Sequence, residues 1–387
     1  MHPRQKVLLL SCYFLLFTSG FLGVILGAIS PFLMDSYSLS AGQFGSMVSS
    51  SLIGAFLITA LSGFIIKKLG RKLSLIFVSL ISAVSFGFFV FVSDPTLLFI
   101  IAFFAGMGSP FVCLIAVSVI YEFDVPFHII IAQSFYPMGA FICPIVAVAG
   151  SIWIVPVIFC ALLLILSAIL CWVINLHDMC IKPPPDRDLT SPVSPFFKQP
   201  LFIMSCSLAV LYVGTESSVT NWIVAYLKDI DRLSVSQAQL VLSLMWLMLA
   251  VGRIVGAFLS RRIHYSQMLV FDGFLMIVFI LLLISTSSVF SAFAILICFG
   301  FALSTVYTSI SLNASRYFST SPYALTFMTT CATIGAVSIP YIIGVIAERF
   351  DLAMGINTIV VCCALFFILT IFNYFLNKKD AASQQQS

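Results

Sequence analysis

Charge is scarce in this chain. Of its 387 residues only 8% are Asp, Glu, Lys or Arg, against about 25% in a soluble globular domain. With 61% hydrophobic residues and a mean hydropathy of +1.16, a water-soluble fold is excluded. Histidine is rarer still, and all four (2, 128, 177 and 264) fall at or near loop edges. No Walker-type phosphate loop, paired Cys or His set, or Ser-His-Asp candidate occurs. No enzyme activity, metal or cofactor is therefore expected, and ATP-driven transport would need another subunit. The 11 cysteines, all but Cys180 within apolar runs, read as small packing residues. A net charge of +4 spread over short loops offers no continuous basic face for nucleic acid.

What the chain has in abundance is long apolar runs. About 20 residues cross the hydrocarbon and roughly 30 make a span with its connection, so the length holds about twelve spans and almost nothing else. The runs lack the two-residue alternation of barrel strands, and lipid leaves no partner for free backbone groups. Helices are therefore expected at 7–34, 42–66, 73–93, 97–121, 129–149, 152–176, 200–227, 236–259, 267–287, 289–314, 322–346 and 353–377. Ser40, Ser236 and Ser321-Pro322 supply helix starts. The opening run is too long for a signal-peptide core and lacks a small-residue cleavage site, so it reads as the first span. One long polar break, 177–199, carries Pro183-Pro184-Pro185 and Asp186-Arg187-Asp188. It reads as a cytoplasmic linker between a six-helix half at 1–176 and a second half at 200–387 with a short cytoplasmic tail.

Internal repetition supports that division. Gly63 to Lys72 after the second span is echoed by Gly256 to Arg262 after the eighth, 193 residues later. Gly139-Ala140 with Pro144 is echoed by Gly335-Ala336 with Pro340, 196 residues later. Two marks at nearly one offset predict parallel six-helix pseudo-repeats in an all-α membrane protein of twelve transmembrane helices. With the N-terminus inside, fourteen Lys and Arg fall in inside loops and tails against three outside (Lys228, Arg232 and Arg349), and Arg253 lies within a helix. The positive-inside rule then puts both termini in the cytoplasm. The Asn313-Ala314-Ser315 sequon falls on that same side and reads as chance.

The loop Gly63 to Lys72, with Gly63, Gly70, Arg71 and Lys72, resembles the signature between helices 2 and 3 of the major facilitator superfamily of secondary transporters. Lys67 stands where that signature has an acid. Tyr212-Val213-Gly214-Thr215-Glu216 and Gly252-Arg253 with Gly256 are similar to the Tyr-x-Gly-x-Glu and Gly-Arg-x-x-Gly segments of its fucose/proton symporter type, in a small sugar-permease-like branch. The resemblance implies a site at the interface of the halves, lined by helices 1, 4, 7 and 10. The carboxylates that sugar transporters of this type use in helices 1 and 4 have no counterpart here: Gly106 to Val112 holds no acid, and helix 1 has none before Asp35.

A charge inside the membrane costs about 2.5–3.5 kcal/mol on insertion scales, so each one needs a reason. Glu216, about sixteen residues into the seventh span and ~24 Å deep by helix rise, is the candidate for proton coupling and for solute binding, with a structural hydrogen bond as the alternative. Arg253 and Asp272 lie at similar depth, ~12 and ~9 Å, and are expected to form a structural charge pair across the eighth and ninth spans. Gln133, Tyr136, Asn221, Trp222 and Tyr307 are the candidate solute contacts, because amide and aromatic polar groups can orient a polar solute. The expectation is a monomeric transporter in a bacterial inner membrane, moving a small, sugar-like solute by alternating access, with a proton as the candidate coupling ion. A multidrug or lipophilic-compound exporter, suggested by 39 phenylalanines, and a non-transporting membrane sensor are the alternatives.

Overall fold

The computed structural model describes residues 3–92, 94–122, 126–149, 153–174, 199–229, 234–259, 262–286, 288–320 and 322–386. Nearly all of the expected linker, from 177 to 198, lies outside them. Among the described residues the chain forms fourteen α-helices: α1 (Pro3–Ala28), α2 (Ser30–Tyr37), α3 (Ala41–Phe89), α4 (Pro95–Gly106), α5 (Gly108–Glu122), α6 (Pro126–Ala149), α7 (Ile154–Val173), α8 (Pro200–Asp229), α9 (Val235–Leu259), α10 (Tyr265–Ser285), α11 (Val289–Leu303), α12 (Val306–Thr320), α13 (Pro322–Arg349) and α14 (Leu352–Gln386).

Eleven stretches of these are long and apolar enough to cross a bilayer, and the 24-residue α6 makes the twelfth crossing. Helix α3 alone has 49 residues, ~74 Å at 1.5 Å per residue and more than twice the ~30 Å hydrocarbon. It reverses at Gly70, whose φ of 74° only glycine adopts without strain, and so contains the second and third crossings. At its start Ser40 and Gln43 form a reciprocal capping box, which satisfies two backbone donors that lipid cannot.

Two crossings are broken at matching places, α4/α5 at Met107 and α11/α12 at Ser304 and Thr305. Pro110 has no N–H for the Gly106 carbonyl, which weakens the turn there. Side chains answer carbonyls near both breaks. Ser82 donates to Phe104 O at 2.9 Å, Tyr212 to Leu303 O at 3.0 Å and Ser304 to Phe301 O at 2.7 Å.

Lipid gives no hydrophobic drive for helix association, so contact depends on how closely backbones approach. The repeated glycines allow that approach. A Cβ on Gly139 would lie 1.9 Å from Phe17 O, and one on Gly335 2.0 Å from Val210 O, so α6 packs on α1 as α13 packs on α8. A second pair, 194 residues apart, behaves alike: a Cβ on Gly106 would lie 2.1 Å from Ser51 O and one on Gly300 2.2 Å from Met245 O. Between the halves, α3 packs on α13, α6 on α9 and α1 on α8. The sequon residue Asn313 is buried in the bundle, its amide donating to Ser205 Oγ at 2.7 Å and Asn373 Oδ1 at 2.9 Å.

Gly139→Val and Gly335→Val should each lower the yield of monodisperse protein severely, because backbone must separate to admit the side chain, beyond the ~1–3 kcal/mol of ordinary overpacking. Gly63→Ala and Gly87→Ala, where nothing lies within 4 Å, should leave yield unchanged or raise it. Size-exclusion profiles of the four variants check this.

Candidate functional site: a cavity between the halves

The described cross-half contacts cluster toward the face opposite the chain termini. Lys228 Nζ meets Asp35 Oδ2 at 2.5 Å, Ser40 Oγ donates to Glu348 Oε1 at 3.1 Å, and Gln239 Nε2 donates to Ala28 O at 2.8 Å. Ser49 Oγ reaches Val337 O at 3.1 Å. The Lys228–Asp35 pair is 39% and 68% exposed, and such surface pairs contribute about 0–1 kcal/mol. The seal is held instead by its packed interior. A Cβ on Gly45 would stand 3.1 Å from Gly344 Cα, and one on Gly27 1.8 Å from Thr220 O. Trp222 closes the layer: fully buried, it meets Phe44 edge-on at 5.1 Å and donates its indole N–H to Pro340 O at 3.1 Å.

A cavity of about 460 Å³ lies among residues of both halves, within the ~300–1,000 Å³ range of small-molecule sites. Glu216 and Arg253 both stand on its wall. Arg253 is brought there by its neighbours. Gly252 and Gly256, where a Cβ would lie 2.3 Å from Ser304 Oγ and 2.1 Å from Thr305 Cγ2, let α9 seat against the break of α11/α12. The Gly-Arg-x-x-Gly spacing thus packs one crossing against another while presenting the cation. Asp272 of α10 is buried and accepts a hydrogen bond from Thr305 Oγ1 at the same break. Asp272, the acid expected to pair with Arg253, thus has a hydroxyl on it, and Arg253 lines the cavity together with Glu216.

Of the expected solute contacts, Asn221, Tyr136 and Tyr307 line the cavity. Asn221 also donates to Ser217 O at 2.8 Å. Trp222 is not among the lining residues and belongs to the seal. The Gln133 side chain lies outside the described residues. Trp246 went unremarked in the sequence, yet it lines the cavity at 6.0 Å from Tyr136, ring to ring, and its indole N–H is buried without a hydrogen-bond partner. Thr220 Oγ1, also on the wall, is likewise buried without one. Such groups cost free energy until something pairs with them. A Trp within an apolar run carries no sequence signal that separates a cavity wall from ordinary packing.

The sequence matches the Major Facilitator Superfamily over residues 9–340. The chain belongs to that superfamily. Among solved structures, it is similar to a bacterial homologue of the human lysosomal transporter Spinster, in an inward-facing and occupied conformation, with TM-score 0.73, 15% identity and 98% of each chain covered. The same homologue in an unoccupied inward-facing conformation gives TM-score 0.75 at 13% identity, again over 98% of each chain. The nucleoside transporter NupG gives TM-score 0.71 at 15% identity, over 95% of this chain and 99% of that one. At these identities the likeness is one of fold. No curated protein sequence matches.

As a test of the seal, Gly344→Val should wedge α13 from α3. Cys113, on the cavity wall, should then react with an impermeant thiol reagent applied to the face opposite the termini, at least tenfold faster than in the unaltered chain. Peptide mass spectrometry of the modified cysteine reads this out.

Proposed function

We propose that this superfamily member is a secondary transporter that carries a small organic solute by alternating access, with the cavity as its solute site. The observation that carries the reading is the pairing of a water-excluding seal on one face with Glu216 and Arg253 in the cavity beneath it. Ionisable residues inside a membrane protein need a reason. A structural pair would be expected packed against side chains rather than on the wall of a small-molecule-sized space. Both termini lie in the cytoplasm on this reading, so the closed face is the outer one and the site is reached from inside. The division into halves at 1–176 and 200–387 supplies the two rocking bodies.

Glu216 is the proposed coupling residue. If closure of the cavity changes whether its carboxyl keeps a charge beside Arg253, proton binding and solute binding share one equilibrium. The Tyr212 to Glu216 and Gly252 to Gly256 segments, similar to those of the fucose/proton symporter type, favour a solute with hydroxyl groups. A second reading, a more lipophilic cargo, draws on a specific observation: the cavity wall from α1 and α3 is largely aliphatic and aromatic.

Glu216→Gln in proteoliposomes is the test. Uphill accumulation under a pH gradient should be lost, while exchange of solute across the membrane persists, since the amide keeps shape and hydrogen bonding without the titrating proton. Retained accumulation would reject Glu216 as the coupling group.

A further inference from the structure

The two ends of the cavity differ in chemistry. Spans from the C-terminal half contribute Glu216, Asn221, Trp246, Arg253 and Tyr307. The N-terminal half contributes Leu22, Leu26, Val48, Leu52, Phe86 and Phe89, drawn from the first three crossings. Its cavity hydroxyls are Ser19, Ser51, Ser109 and Tyr136, of which Ser19 and Ser109 are spent on one another, Ser19 Oγ donating to Ser109 O at 2.7 Å and Ser109 Oγ to Ser19 O at 2.9 Å. The polar end, by contrast, keeps the unpartnered indole N–H of Trp246, in a residue only 3% exposed. A ring bearing hydroxyls all round would leave several of them unpaired against the aliphatic end, which is costly. A wholly apolar molecule would leave the Trp246 indole N–H unanswered.

We propose that the cavity takes an amphipathic solute, with a hydrogen-bond acceptor in its polar head placed on Trp246 Nε1 and an apolar body filling the chamber walled by Leu26, Leu52, Phe86 and Phe89. This rests on the reading of the cavity as the solute site. Its volume suits a single short chain or ring system. The head is neutral or zwitterionic, because the cavity wall carries one acid and one base, Glu216 and Arg253.

The experiment is a chain-length series on the full-length protein in lipid nanodiscs, with two head groups: alkyl β-glucosides from methyl to hexyl, and acylcarnitines from acetyl to hexanoyl. Binding is titrated by thermal stabilisation, which needs no flux. Burial of a methylene should tighten binding about fourfold, so at least one head series should climb by that factor per carbon until the chamber is full. Phe86→Ser should flatten the climb, and Ala55→Phe, which fills the chamber, should end it at a shorter chain. Partition into the bilayer would act on all three proteins equally. A climb that is absent from both series, or identical in the two variants and the unaltered chain, overturns the proposal. Counterflow in proteoliposomes is read separately. Flux without a climb would reject the solute class and leave transport standing, whereas a climb without flux would reject transport and leave the binding chemistry.

Discussion

Close approach of helix backbones at glycine is the constraint on which the rest of the architecture depends. In lipid, apolar side chains gain nothing by exchanging hydrocarbon for each other, so which helices meet is decided by where backbones can touch. Gly139 on Phe17 and Gly335 on Val210 build the two halves alike, and Gly106 on Ser51 and Gly300 on Met245 do so again. Gly27, Gly45 and Gly344 then work between the halves. Glycines within a half hold each bundle in one arrangement. Those between the halves make a contact whose other groups, an exposed ion pair and a few hydrogen bonds, are weak enough to part.

The cavity follows from the same geometry. Helices drawn together near the ends opposite the chain termini leave space deeper in the bundle, where two crossings are broken at Met107 and at Ser304 and Thr305. A break in a membrane helix frees backbone groups, and here Ser82, Tyr212 and Ser304 take up nearby carbonyls. Arg253 reaches the wall because the glycines on either side of it seat α9 against the second break. A charged residue is thereby placed in the membrane by packing whose logic is legible residue by residue.

The twelve crossings were legible in the sequence because hydropathy and length leave few alternatives, and the repeat was legible because its glycines recur at nearly one spacing. Glu216 and Arg253 stood out for the same reason that makes them costly, as ions in apolar runs. The site was legible only in part. Trp222 and Trp246 look alike in a sequence, yet one belongs to the seal on the face opposite the termini and the other lines the cavity, a difference set by rotation of α8 and α9 about their axes. The Asp272–Thr305 bond had no sequence signal either, because equal depth on neighbouring helices does not say which hydroxyl a carboxylate will meet. Nor did Pro110 announce the break at Met107, since many membrane helices keep their course past a proline.

Alternating access, as proposed, requires that the seal opposite the termini open, and this can be measured without knowing the solute. Spin labels at Phe91→Cys and Phe350→Cys, exposed positions on the sealed face of the two halves, report the distance across that face by pulsed electron resonance in nanodiscs, once reactive native cysteines are replaced. The account predicts two distance populations, the shorter matching the sealed arrangement, with their ratio shifting when pH or an imposed ligand favours one state. A single short distance under every condition, in protein that nevertheless carries solute, would contradict it.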